Sequence, residues 1–185
     1  TARTVSIEEM TKICGPLPDH KTNLIKDYVP YAAWFAYETA LRIGEIAQLT
    51  WSDIDTENLT VHVREEWEPG VGGKSVKNGN SREVPMSPNA IRLIQTLADH
   101  NEEAPMDALV FNMNKATMDQ YWRNLYEAAG VKGVIFHDLR RTRLTLWAKI
   151  YDVMTLAKIS GHMDVNVLLT TYYQPSGKEL AARLS

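Results

Sequence analysis

Cysteine is nearly missing from this sequence: Cys14 is the only one in 185 residues, which excludes an internal disulfide and any thiolate metal cluster. Such usage fits a reducing cytoplasm. Long apolar runs are missing as well. No stretch reaches the roughly 20 residues that a membrane helix needs, and no signal peptide opens the chain, so no membrane partner is expected. There is no His-x-x-x-His, no Cys pair and no clustered Asp motif to supply metal-ligand spacing, and hence no metal site is expected. Repeats and low-complexity tracts are absent too. The chain starts at Thr1 and passes at once into folded-looking sequence, which suggests a piece of a longer protein.

A basic excess is also lacking. Lys and Arg number 20 against 23 Asp and Glu, a net charge of −3, whereas a nucleic-acid-binding domain is ordinarily basic. The charges are segregated, however. Between residues 45 and 68 the carboxylates meet only Arg64, while between 137 and 149 Arg140, Arg141, Arg143 and Lys149 meet only Asp138. A basic groove on an acidic body is compatible with that pattern, because the local field matters more than the net charge.

What is present is enough for one domain over residues 1–185, mainly α-helical with a small antiparallel sheet, an α+β class. Ser6-Ile7-Glu8-Glu9 is a capping box opening a helix that ends near Gly15-Pro16. A helix over 24–39, with apolar residues on several sides, predicts a buried element, and 41–49 reads as another helix. The period then changes. Leu59, Val61 and Val63 alternate with polar residues as a strand, and Val76 to Pro85 predicts a hairpin turning at Asn78-Gly79. Residues 59–85 thus read as two or three antiparallel strands, with Gly70, Gly72 and Gly73 in a loop. Helices resume with Ser87-Pro88, with Thr117 as a second capping box, and near 138–150, 153–160 (closed by Gly161), 164–172 and 176–184.

Several residues could carry chemistry. His137 and Arg140 lie one turn apart where a helix begins, so a phosphate could meet an imidazole, a guanidinium fork and a helix N-terminus together. A capping histidine and a surface ion pair is the plainer alternative. Arg42 and Glu45 repeat the spacing, as an oriented phosphate clamp or as an ordinary helical ion pair. Lys77 sits before a tight turn, where it could protonate a leaving alkoxide or merely solubilise the turn. His162 follows Gly161 at a helix end, and Tyr172 and Tyr173 follow soon after. His20, His62 and His100 have no motif around them.

Taken in order, these blocks resemble the tyrosine recombinase (phage integrase) family: Leu41-Arg42-x-x-Glu45 with Trp51-Ser52-Asp53, Lys77-Asn78-Gly79-x-x-Arg82-x-Val84-Pro85, His137-Asp138-Leu139-Arg140-Arg141-Thr142, and Gly161-His162 before the tyrosines. The resemblance spans nearly the whole chain and implies a catalytic domain without the family's N-terminal DNA-binding domain. It implies that Arg42 and Arg140 clamp a phosphate, Lys77 acts as general acid, His137 as acid/base partner, His162 as hydrogen-bond donor and Glu45 as support. A tyrosine would attack a DNA phosphodiester, giving a 3′-phosphotyrosyl link without metal or ATP. Double-stranded DNA and a synaptic tetramer are the implied partners, with helix 176–184 docking on a neighbour or packing on its own domain. One departure stands out: the family's nucleophile position falls on Thr171, so Tyr172 is favoured and Tyr173 is the alternative. Lys74, Arg82, Lys115, Arg123, Arg141 and Arg143 are candidate DNA-backbone contacts. A non-catalytic DNA-binding relative and a metal-dependent phosphodiesterase are the competing functions.

Overall fold

A computed structural model describes residues 3–17, 28–64, 66–69, 75–78 and 81–185, with 66–69 and 75–78 described by backbone alone. The Gly70–Gly73 loop, Lys74, His20 and the start of the helix read from Leu24 lie outside the described residues.

The fold is built around α2 (Tyr28–Thr39), in which every residue from Tyr31 to Thr39 is buried. Its sequence has no polar face, and a helix that is apolar all round must be covered all round. The helices α4 (Pro88–Asp99), α5 (Lys115–Ala128) and α6 (His137–Trp147) do so, together with α1 (Ile7–Cys14). Removing Phe35, Leu41, Leu93, Trp122 or Leu139 from water contributes roughly 1.5–3 kcal/mol per side chain. Polar atoms in this core are paired. The Trp122 indole donates to the Val134 carbonyl at 2.9 Å, and the Val5 amide to Thr142 Oγ1 at 2.8 Å.

Helix boundaries follow the caps. Ser6 and Glu9 form the expected capping box on α1, and Ser87 with Pro88 opens α4. α5 begins earlier than the Thr117 box implied, because Asn114 accepts from the Thr117 amide at 2.8 Å and is itself the cap. Thr117 is therefore one turn inside. The helix read over 41–49 is only α3 (Ile43–Ala47): Ala40 is left-handed (φ 59) and Arg42 extended, so the chain breaks before restarting. α7 (Val153–Ser160) closes on left-handed Gly161, α8 (Val165–Tyr172) follows, and α9 (Gly177–Ala182) buries nothing, leaving Leu180 and Leu184 exposed.

The β structure differs from the expected hairpin. β1 (Ile54–Asp55), β2 (Thr60–Val63) and β5 (Arg82–Pro85) form one antiparallel sheet in the order β1-β2-β5, and β3 (Glu66–Pro69) pairs with β4 (Ser75–Asn78) in a second. Val76–Pro85 is thus not a hairpin about Asn78-Gly79. β5 joins β2 in the register Val61↔Val84 and Val63↔Arg82, since this pairing puts two buried faces together. Period two then directs Arg82 and Val84 inward while Glu83 faces solvent against His62.

Candidate active site

Three chain segments converge beside the inner face of β5: the break before α3, the first turns of α6, and the turn after α7. Glu45 organises the first. It is almost wholly buried, accepts from the Arg42 backbone amide at 2.8 Å and from Arg42 Nη1 at 3.0 Å. Its carboxylate also takes both Nη atoms of Arg82, at 2.8 and 3.0 Å. Burial alone would raise its pKa, but the bonds and charges of Arg82 and Arg42 outweigh that and hold it below the ordinary value.

Arg82 was expected on the DNA-facing surface; its side chain is only 6% exposed. Besides Glu45 it donates Nε to the Ile159 carbonyl at 2.7 Å, so it cross-links β5, α3 and the end of α7. Gly161 lies directly against it. A Cβ there would come within 2.9 Å of Arg82 Nη1, and the residue's φ is +75°, so glycine satisfies both the approach and the left-handed backbone.

Arg140 is held in another way. It is 2% exposed, yet no carboxylate bonds it among the described residues. Nη1 donates to the Ala40 carbonyl and Nη2 to the Ser160 carbonyl, each at 2.7 Å. The left-handed turn at Ala40 is what aims the first of these oxygens. Burial first, then the neighbouring Arg42 charge, draws the Arg140 pKa down to about 9, so the group stays cationic at neutral pH. Its charge is solvated by dipoles and left uncancelled. That is a site prepared for an anion.

Both candidate histidines border this charge. Partial enclosure comes first, then Arg140, and the ring of His137 is driven to a pKa of about 4 with Arg141 and Arg42 assisting. His162 is also driven to about 4 by burial and then Arg140, Arg42 and Arg82. Both rings are neutral at pH 7. His162 Nδ1 lies 2.7 Å from Ser160 Oγ and 3.4 Å from Arg140 Nη2.

The two tyrosines part company here. Tyr172 is half-buried, and burial raises its pKa while the charges of Arg140 and Arg141 pull it down, which sets its phenol in the field of the arginine centre. Tyr173 turns to the far end of α6 and donates its hydroxyl to the Tyr151 carbonyl at 2.7 Å. The structure therefore brings together Arg42, Glu45, His137, Arg140, His162 and Tyr172, and directs Tyr173 elsewhere. Lys77 lies on β4 opposite Trp67; its side chain is outside the described residues.

The remaining basic candidates divide. Arg143 is drawn inward, donating to the Tyr37 carbonyl at 2.8 Å and to Glu38 at 3.2 Å, with its guanidinium over the Tyr37 ring. Arg141 bonds Asp138 at 2.8 Å and remains partly exposed. Lys115 and Arg123 are exposed on α5. Sequence reasoning overlooked Ser160 and the inward role of Arg82; the alternation of β5 carried the signal for the second. Among the described residues no group of three His, Cys, Asp or Glu side chains could hold a metal ion, and no helix is long and apolar enough to cross a membrane.

A mainly helical domain with a small antiparallel sheet and this arginine–histidine–tyrosine centre has the architecture of a tyrosine recombinase catalytic domain. The phage integrase family model matches residues 7–179, and the chain belongs to that family. An inferred integrase/recombinase of Haemophilus influenzae is 42% identical over 147 residues, 78% of this chain. The chain spans 36% of that relative's length, about a third. Two solved structures share the fold. The Tn1549 transposon integrase in complex with transposon right end DNA superimposes with a TM-score of 0.71 at 17% identity, over 100% of this chain and 65% of that one. The catalytic domain of bacteriophage HP1 integrase gives 0.64 at 16% identity and is itself covered over 96% of its length.

Proposed function

We propose that residues 1–185 form the strand-cleaving and strand-joining domain of a site-specific DNA recombinase or integrase. The observation that carries this reading is the buried Arg140, held by two backbone carbonyls and acting through its charge on the Tyr172 phenol. Tyr172 Oη attacks the phosphorus of a DNA phosphodiester and its proton passes to neutral His137. The P–O5′ bond breaks, Lys77 protonates the departing 5′ oxygen, and the strand is left as a 3′-phosphotyrosyl ester. Attack by the 5′ hydroxyl of a partner strand reverses the sequence, so bond energy is conserved and neither ATP nor metal is required.

The pentavalent phosphorane carries its negative charge between Arg42 and Arg140, with His162 donating a hydrogen bond. Glu45 orients Arg42 and removes part of its charge, which leaves Arg140 as the stronger anion ligand. The Tyr172 phenol, its pKa raised by burial, is protonated at rest and gives up its proton to a base when it attacks the phosphate. Double-stranded DNA is the substrate and partner, and α9 with exposed Leu180 and Leu184 is the element that docks on a neighbouring protomer in a synaptic tetramer. Arg141 and Arg123 are proposed contacts to the DNA backbone, together with Lys115 and Lys74.

The test is a nicked duplex carrying the recombination site, incubated in EDTA with wild type, Tyr172→Phe and Tyr173→Phe. A covalent adduct on a denaturing gel, lost only in Tyr172→Phe, is the expected result. Loss only in Tyr173→Phe would transfer the nucleophile to Tyr173. A wild-type protein that binds the site and neither cleaves it nor forms an adduct would leave a non-catalytic DNA-binding relative, and cleavage without an adduct that is abolished by EDTA would point to metal-assisted hydrolysis.

A further inference from the structure

We infer that Ser160 is a positioning residue that holds His162 in one neutral tautomer, with Nδ1 unprotonated and the proton on Nε2. The inference rests on the phosphodiester-transfer reading and deepens it at a single ring.

The geometry comes from the α7 terminus. Ser160 is the last residue of the helix and 1% exposed, and left-handed Gly161 turns the chain so that His162 folds back over it. Ser160 Oγ then lies 2.7 Å from His162 Nδ1. Arg140 Nη2 approaches the same nitrogen at 3.4 Å. A guanidinium has donors only, so a proton on Nδ1 would oppose an Arg140 N–H, whereas a lone pair there accepts from it. The serine hydroxyl has one other acceptor in reach, the Ala157 carbonyl at 3.4 Å, which is the longer and weaker choice. Two donors therefore meet on Nδ1, and the neutral ring carries its proton on Nε2.

The charged and titratable groups acting on the ring are Arg140, Arg42, Arg82 and His137, with Glu45 compensating Arg42 and Arg82. This surrounding opposes an imidazolium, and the ring remains neutral. His162 is thus a fixed N–H donor, suited to a phosphate oxygen and unsuited to shuttling a proton. The His137 ring forms no hydrogen bond among the described residues and keeps the acid/base role. Ser160 serves both functional side chains at once, its carbonyl on Arg140 and its hydroxyl on His162.

Substituting Ser160→Ala separates the two, since the carbonyl remains. Histidine-labelled protein at pH 7, read by long-range nitrogen–proton NMR and assigned with His162→Gln, should show Nδ1 bare and Nε2 protonated. Ser160→Ala should yield mixed tautomers, and Ser160→Thr should restore the single one. In the adduct assay Ser160→Ala should slow formation roughly tenfold, the worth of one hydrogen bond, with Ser160→Thr near wild type. A proton on Nδ1 in wild type, or an unchanged tautomer in Ser160→Ala, overturns the proposal. So does a shifted tautomer that leaves the adduct rate unaltered. Wild type forming no adduct sinks the transfer reading, while the nitrogen spectra still decide the tautomer.

Discussion

On the β5–α3 side of the centre, Arg82 is buried against a carboxylate that takes two of its nitrogens. On the α6–α7 side, Arg140 is buried still more deeply but bonded to two peptide carbonyls. Both are buried guanidinium groups, Arg140 the more completely. The difference lies in what neutralises them: Glu45 cancels the charge of Arg82, while partial dipoles stabilise the charge of Arg140 without cancelling it. One arginine is mortar between three elements, and the other is a cation that, in the proposed function, receives a phosphate. Burial by itself does not tell a structural arginine from a functional one; the counter-group does.

Breaking the mortar should have the larger effect on stability. Arg82→Met leaves Glu45 buried with only the partly exposed Arg42, and the expected cost is about 3 kcal/mol, at the lower end for a broken buried pair because Arg42 remains. Urea unfolding would measure it, and adding Glu45→Gln to Arg82→Met should recover part of the loss. A cost near zero would mean that the pair does not organise the site.

Arg140→Lys sharpens the other side. A lysine keeps the charge but cannot reach both carbonyls in one plane while presenting a fork to phosphate. Adduct formation should fall roughly 100- to 1,000-fold, the usual effect of removing a preorganised transition-state donor. Stability should change less than in Arg82→Met. The reverse order in the two assays would erase the distinction between the two arginines.

The remaining effect is on pH. In the folded chain His137 and His162 titrate at about 4, against 6.5 when unfolded. Between those values the unfolded state binds more protons, so stability falls as pH drops through the window and is flat above it. Below 4.5 the depressed Glu45 adds a loss in the same direction, since its contribution is present above the unfolded value and disappears as it protonates. Thermal unfolding should give a constant midpoint from pH 7 to 8 and a decline below about 6.5, made shallower by His137→Asn with His162→Asn.

Some of this was legible in the chain. The capping residues Ser6, Ser87 and Gly161 marked helix ends because each satisfies or terminates a local hydrogen-bond pattern. The order of Arg42, His137, Arg140 and His162 singled out the centre, and its members do meet. Arg143 and Arg82 misled, because a charged residue in isolation reads as solvated. Their partners, Glu38 and Glu45, stand on other elements far away in sequence. The false hairpin at Asn78-Gly79 had the same origin: a strong local turn signal lost to strand pairing, since the buried faces of β2 and β5 complement one another.

The sequence by itself determined the class of fold, the family and the identity of the side chains at the centre. These depend on periodicity, capping and the order of short motifs, all of which are local. Only the tertiary structure decided which tyrosine enters the arginine field, which arginine keeps its charge, and which nitrogen of His162 faces Ser160. Each of those is settled by a contact between groups separated in the chain, where a few tenths of an ångström separate a hydrogen bond from none. Tyr173 donates to the Tyr151 carbonyl at 2.7 Å, whereas the charges of Arg140 and Arg141 act on Tyr172.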